Sequence, residues 1–516
     1  MVRTVGPHQI ASPRTVEFET RDNSREGCRS RRELHSLRAM QNLLREIAIL
    51  SSTSAALDWD QETFAPPKAV DFRSKQLAYL AGKIHELKTS DPFQEGLEDD
   101  SLGEANQREL RQQFERATKL PRELVERASE TSTLGKAAWS EAREKNDFPL
   151  FAPHLAKLLD IAREQADHWG YEDEPYDALL SEYERSAKTR EVAALFDSIS
   201  DDLAQIAAAA VEKSASIPAD FLHGPAPIHE QMTLNREIAE SLGFDFQAGR
   251  IDTTEHPFCT TLGPADIRLT TRYDKNDFAS SLFGVMHETG HGLYEQGLPS
   301  EDFHLPSGQA VSLGIHESQS RLWENHVGRS RPFWERWLPR AQELFPHLRP
   351  IDLEQFLVGI NRAAYSAIRV EADEATYDLH ILLRFKLERA LLSGELEVAD
   401  VPGAWNDTFE SLFGFRPAND TEGCLQDIHW SMGGLGYFAT YSLGNLNSAQ
   451  LHQSAAQDPE VIQGAQQGDF IPLLNWMQEK IHAKGSALFP QDLMESATGS
   501  PTKPDAYLAH LRERFC

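Results

Sequence analysis

The chain has 516 residues, 40% of them hydrophobic, with 51 Lys and Arg against 80 Asp and Glu and a formal net charge of −29. That apolar content, beside only 31 Gly and 27 Pro, supports a sizeable core and excludes collagen-like and wholly disordered chains. The acidic balance excludes a general nucleic-acid binder, because neutralising phosphates takes clustered Lys and Arg.

Residues 1–39 hold eight Arg, no Lys and five acidic residues, a net of +3 that leaves −32 on residues 40–516. Few large apolar residues precede Leu34, so about the first 30 residues read as a disordered tail. Residues 1–39 are accordingly expected to be an N-terminal extension, and residues 40–516 one folded domain. Glu17, Glu19, Asp22, Glu26 and Glu33 argue against an Arg-rich transit peptide, and the segment lacks the apolar core of a secretory signal. Met40 opens a clean helical pattern with Leu43, Leu44, Ile47 and Leu50, which also makes it a candidate start of translation.

Beyond Met40 helix follows helix, with connections expected over residues 89–103, 216–229 and 499–504, each rich in Pro, Gly, Asp or Ser. One strand pair interrupts them: residues 256–261, a turn over 262–266, then residues 267–273, whose alternation predicts a half-exposed edge strand. Residues 361–393 contain no Gly or Pro and predict one continuous helix of about 50 Å. The fold class expected is mostly α with a small β-hairpin. The four cysteines, Cys28, Cys259, Cys424 and Cys516, show no CxxC pairing and suit a reducing compartment. No stretch approaches the roughly 18–20 apolar residues of a membrane helix. A cytoplasmic protein without membrane or nucleic-acid partners is expected.

Residues 277–291, DFASSLFGVMHETGH, read as a helix capped near Asp277 and stopped by Gly297 and Pro299. His287 and His291 are four apart, so both reach one ion from the same helical face. Glu288 is rotated aside and can address an activated water without being a ligand, which is the HExxH arrangement of zinc hydrolases. A catalytic zinc takes three protein ligands and an open position. Glu317, 26 residues beyond His291, lies in a second helical pattern with Val311, Ile315, Leu322 and Trp323 on its apolar side. His304 and His316 compete with it for the third place, and spacing alone leaves that choice open.

Eight motifs occur in order: Trp59-Asp-Gln-Glu-Thr63, His256-Pro-Phe258, Asp266-Ile-Arg268-Leu-Thr270, His287-Glu-Thr-Gly-His291, His316-Glu-Ser-Gln319, Ile368-Arg-Val-Glu-Ala-Asp-Glu374, Gly423-Cys-Leu-Gln-Asp-Ile-His-Trp430 and Gly436-Tyr-Phe-Ala-Thr-Tyr441. With them the chain resembles the thermostable-type metallocarboxypeptidases of family M32 over nearly everything after residue 40. The resemblance implies a large, deep-clefted helical body with a small sheet beside the HExxH helix, usually homodimeric. It implies one divalent ion, zinc with cobalt or manganese as alternatives, on His287, His291 and Glu317, and Glu288 as the base. It places oxyanion stabilisers in HWSMGGLGYFATY, namely His429 with Tyr437 or Tyr441. Arg369 becomes the clamp for the substrate carboxylate, a task suited to a planar fork. His256 and Arg268 fall in segments tied to substrate binding. One departure is Ala439, where the family commonly has proline.

The expected activity is removal of C-terminal amino acids from peptides with a free C-terminus. The alternatives are another HExxH peptidase, cutting at the N-terminus or internally, and a non-enzymatic helical scaffold with a structural zinc. No GxMxN segment precedes the zinc helix, against the commonest aminopeptidases. Structural zinc sites are usually closed with Cys, against the scaffold.

Overall fold

The computed structural model describes residues 26–98, 100–254 and 257–516. The first helix, Glu26–Thr63, already runs ahead of Met40, in keeping with the Arg, Glu and Leu of residues 26–39, which favour helix. Of the tail expected over about the first 30 residues, residues 26–30 are helical and the rest lies outside the described residues, as does His256 with its expected role. Met40 is 1% exposed and packs with Leu44 and Ile47 against Phe93, Leu97 and Leu110.

Two large apolar cores carry the body. One gathers Phe151, Phe196, Leu383, Trp405 and Phe409. The other gathers Phe244, Leu282, Ile315, Trp323 and Trp334. The helix Ala439–Ala455 gives Leu443 and Leu446 to the first core and Leu451 to the second, so it bridges them. Against that bridge packs the helix Leu313–Arg321, the glutamate helix, which also packs on Phe278–Gly297, the histidine helix.

Three short strands, β1 (Gly249–Thr253), β2 (Cys259–Gly263) and β3 (Asp266–Thr271), form a sheet of order β1-β3-β2 beside the histidine helix. β2 and β3 make the expected antiparallel pair, and β1 joins β3 in parallel. β3 is therefore the central strand and not a half-exposed edge: Ile267, Leu269 and Thr270 are fully buried. The segment Gly-Arg-Ile-Asp-Thr carries too little β-former signal to announce itself, yet it supplies the second neighbour.

Residues 361–393 are not one helix. Leu353–Ile360 ends before them, a single 3₁₀ turn forms at Arg369–Glu371, and a helix resumes only at Tyr377–Ser393. The Asp373 carboxylate accepts from the backbone N–H groups of Ala364, Ala375 and Thr376 at 2.8, 3.0 and 3.2 Å. Side-chain capture of this kind competes with the helical ladder. The connections at residues 216–229 and 499–504 fall between helices as expected, whereas 89–103 also holds the short helix Asp91–Gly96. Among the described residues no helix is long and apolar enough to cross a membrane.

Candidate active site and metal centre

Asp277 caps the histidine helix by accepting from the Ser280 N–H at 3.1 Å, and the helix ends at Gly297 ahead of Pro299. Its partner, the glutamate helix, is capped by Ser312 and runs on into a π-helical turn, Leu322–Val327. Such widened turns recur at functional sites because they change which side chains share a face. A Cβ on Gly290 would lie 2.6 Å from Gln319 O, so glycine inside HETGH lets the two helices close on each other. Likewise a Cβ on Gly444 would sit 2.5 Å from Glu317 Cγ, so this bare point on the bridging helix leaves room for the carboxylate.

His287, His291 and Glu317 come together, each offering one ligand atom within 4.8 Å of the others. Glu317 Oε2 faces His287 Nε2 at 3.7 Å and His291 Nε2 at 3.5 Å. The other nitrogens are held from behind. His287 Nδ1 bonds Glu324 Oε2 at 2.8 Å, and His291 Nδ1 bonds His316 Nδ1 at 2.6 Å. His316 Nε2 in turn meets Glu295 Oε1 at 2.7 Å. Both nitrogens of His316 are thus engaged, and His304 Nε2 is taken by Gln41 Oε1 at 2.6 Å, which leaves Glu317 as the third member.

Charge in the cluster is arranged to suit a cation. Burial acts to raise Glu317, but Arg321 and the two imidazoles hold it well below the usual carboxylate range. Arg321 Nε donates to Glu317 Oε1 at 2.7 Å, leaving Oε2 for the histidines. Burial, then the neighbouring His316, pushes His291 down to about 3, so it is a neutral imidazole with a free lone pair. Neutral imidazole, carboxylate and an orienting carboxylate behind the ring are what a divalent transition ion requires. Glu288, 4% exposed, has an Oε2 with no hydrogen-bond partner, and burial lifts its carboxyl to about 7.

A second group faces this one through Tyr377. The Arg321 guanidinium carbon lies 4.3 Å over the Tyr377 ring, and Arg369 Nη1 donates to Tyr377 Oη at 2.8 Å. Arg369, 5% exposed, is not paired with Glu371, Asp373 or Glu374 as a surface helix would have it. It bonds Asp427 Oδ1 through Nε at 3.1 Å and Nη2 at 2.7 Å, and Arg384 Nε meets Oδ2 of the same carboxylate at 2.7 Å. A guanidinium has five N–H donors. One on each Nη remains to donate further.

His429 and Tyr441 adjoin that arginine. Tyr441 Oη is 3.4 Å from His429 Nε2, the Arg369 guanidinium carbon is 5.0 Å from the Tyr441 ring, and the Tyr437 ring lies 5.0 Å from His429. Burial, opposed by the Asp427 charge and aided by Arg369 and Arg384, brings His429 down to about 4. Burial and the Glu317 charge push Tyr437 up to about 12, so both remain neutral hydrogen-bond donors. Glu388 ties their loop down, accepting from Trp430 Nε1 at 2.8 Å and Gly436 N at 3.2 Å. Ala439 opens the bridging helix, and the preceding Phe438 sits at φ −61°, ψ −30°. A proline at 439 would disfavour that conformation, so the alanine permits an earlier helical turn instead of loosening one.

Arg268 stands in β3, beside the histidine helix. Its fork is occupied by Asp266 at 2.8 and 2.8 Å, and it lies 4.2 Å over the Trp59 ring. Sequence reasoning passed over Arg321, Glu324, Glu295, Tyr377 and Glu388. Arg321 and Glu324, four and seven residues past Glu317, stand at helical spacing that marks a shared face.

A family model described as Carboxypeptidase Taq (M32) metallopeptidase matches residues 39–515. Thermostable carboxypeptidase 1 of Thermus thermophilus is 40% identical over 503 residues, covering 92% of this chain and 98% of the relative. Carboxypeptidase 1 of Bacillus subtilis is 34% identical over 484 residues, covering 92% and 97%. The crystal structure of the M32 carboxypeptidase from Deinococcus radiodurans R1 superposes with a TM-score of 0.90 at 35% identity, covering 93% of this chain and 99% of that one.

Proposed function

Since the chain belongs to the M32 carboxypeptidase family and is a metallocarboxypeptidase, we propose that His287, His291 and Glu317 hold its divalent ion and that Glu288 is the general base. One observation carries this reading: both imidazoles turn Nε2 toward Glu317 Oε2 while their Nδ1 atoms are held from behind. An ion bound there supplies Lewis-acid polarisation of a carbonyl and acidifies water to a pKa near 7. Glu288 then takes the proton of the attacking water and delivers it to the leaving amine. His429, with Tyr437 or Tyr441, donates to the oxygen on which charge develops. The two N–H groups left on Arg369 receive the substrate's terminal carboxylate, and Asp427 fixes the plane of the fork. Arg268, on β3, and His256 are proposed as contributors to substrate binding. Two histidines and a carboxylate suit zinc, with cobalt and manganese as workable substitutes. Sparse, unpaired cysteine use supports a cytoplasmic setting, and the family resemblance supports a homodimer built from residues 40–516, for which light scattering is the test.

Chelation should abolish hydrolysis, and add-back of zinc, cobalt or manganese should restore it. Recovery without added ion would contradict the proposal. Glu324→Gln weakens the hold on His287 and should lower metal affinity about 10- to 100-fold, measured by competition with a chromophoric chelator. An unchanged affinity would remove Glu324 from that role. Arg369→Lys keeps the charge and loses the fork. Its KM for free-carboxylate peptides should rise roughly 10- to 100-fold, the loss of one charged hydrogen bond, with little change on C-terminal amides. An equal effect on both would show that the arginine does not read the carboxylate.

A further inference from the structure

A second cluster of metal-ligating side chains lies outside the catalytic site. His326 sits on the π-helical turn, Glu374 in the turn ahead of Tyr377–Ser393, and His510 on the C-terminal helix Asp505–Phe515. One ligand atom from each falls within 4.8 Å of the others. His326 is 5% and Glu374 7% exposed. His452, from the bridging helix, stacks on His326 with ring centroids 4.8 Å apart and planes 23° apart, while the His510 ring lies 4.1 Å from His326 on centroids. Two imidazoles therefore meet at one buried carboxylate, and a third stacks on His326.

Ordinary ion pairing accounts for only part of this. Glu374 Oε1 meets His510 Nε2 at 2.8 Å, and Oε2 accepts from Arg514 Nη1 at 2.8 Å. His326 is left over: its Nδ1 is buried without a hydrogen-bond partner, and its Nε2 has only a 3.5 Å contact with Ser448 Oγ. The arrangement repeats that of the catalytic centre. There Arg321 occupies Glu317 Oε1 and leaves Oε2 to two histidines. Here Arg514 occupies Glu374 Oε2 and leaves Oε1 to His510, with a ligand atom of His326 within 4.8 Å.

We propose that His326, Glu374 and His510 form a second divalent-metal site, which fastens the C-terminal helix to the body. Imidazole nitrogen with a single carboxylate oxygen selects zinc, cobalt or nickel over calcium or magnesium, which prefer all-oxygen cages. The ion replaces the hydrogen bond between His510 Nε2 and Glu374 Oε1 and takes up a nitrogen of His326. The site carries no equivalent of Glu288 and is structural. It bears on catalysis only by position, since the turn that presents His326 also carries Glu324 behind His287.

The test strips full-length protein with a chelator, dialyses it against buffered zinc and measures metal per chain by mass spectrometry. Two ions per wild-type chain are expected, and one fewer in His326→Gln and in His510→Gln, each checked for native circular dichroism. Zinc should also raise the Tm of Glu317→Gln, whose catalytic site is crippled, and fail to do so once His510→Gln is added. A single ion per wild-type chain at saturating zinc overturns the proposal, as do two ions retained by both variants. Should either variant fail to fold, zinc-edge anomalous scattering from wild-type crystals decides. A peak among His326, Glu374 and His510 supports the site, and a second ion elsewhere overturns it.

Discussion

Glu288→Gln should keep its metal and lose roughly 10²- to 10⁴-fold in kcat, the range removed with a positioned general base. The substitution preserves shape in a pocket where the side chain is 4% exposed, and it touches none of the three residues proposed as ligands. What it removes is proton affinity, because an amide oxygen cannot take the proton of an attacking water. The carboxylate oxygen left without a partner in the buried pocket is the atom this role requires. Metal content and a peptide-hydrolysis rate measured together check it. A variant that has its metal and cleaves at the wild-type rate would remove Glu288 from the reaction.

Asp427→Ala should destabilise the fold by about 3–5 kcal/mol, the usual penalty for leaving a buried ion pair half intact. Asp427 is the shared counter-charge of Arg369 and Arg384, whose side chains are 6% and 0% exposed. Burial acts to raise Asp427, but the two guanidinium groups hold it well below the usual carboxylate range. The sign of the pH dependence follows from that direction. A carboxyl depressed in the folded state stabilises the protein fully above its unfolded pKa of about 3.9 and progressively less as pH falls below it. The wild type should therefore lose stability below about pH 4 in part through this group, and Asp427→Asn should lack that share of the slope. Denaturant titrations at several pH values measure both effects. Equal slopes for wild type and variant would mean that Asp427 is not the buried counter-charge.

The candidate metal cluster was legible because its chemistry is local. His287 and His291 are four apart on one helix, and family resemblance resolved what spacing left open at Glu317. The structure adds what favours the glutamate as the proposed third ligand: His316 is engaged behind His291, and His304 with Gln41. Arg369 was also named, but its setting was misread. Absence of Gly and Pro over residues 361–393 suggested helix, whereas Asp373 captures three backbone N–H groups and turns the chain there. Its true partner, Asp427, is 58 residues away, beyond the reach of any periodicity. β3 failed as an edge strand for the same reason, since its parallel neighbour β1 joins it from outside the hairpin. Local pattern announces helices and motifs, while buried charge pairing and sheet order are settled by tertiary contact.

The most direct test follows the masses of one unblocked peptide over time, digested by chelator-stripped protein, by protein reloaded with zinc, and by reloaded His291→Ala. The account predicts no cleavage by the stripped protein, stepwise loss of C-terminal residues after reloading, and little or none by the variant. Loss from the N-terminus, or equal cleavage by the stripped protein, would contradict it.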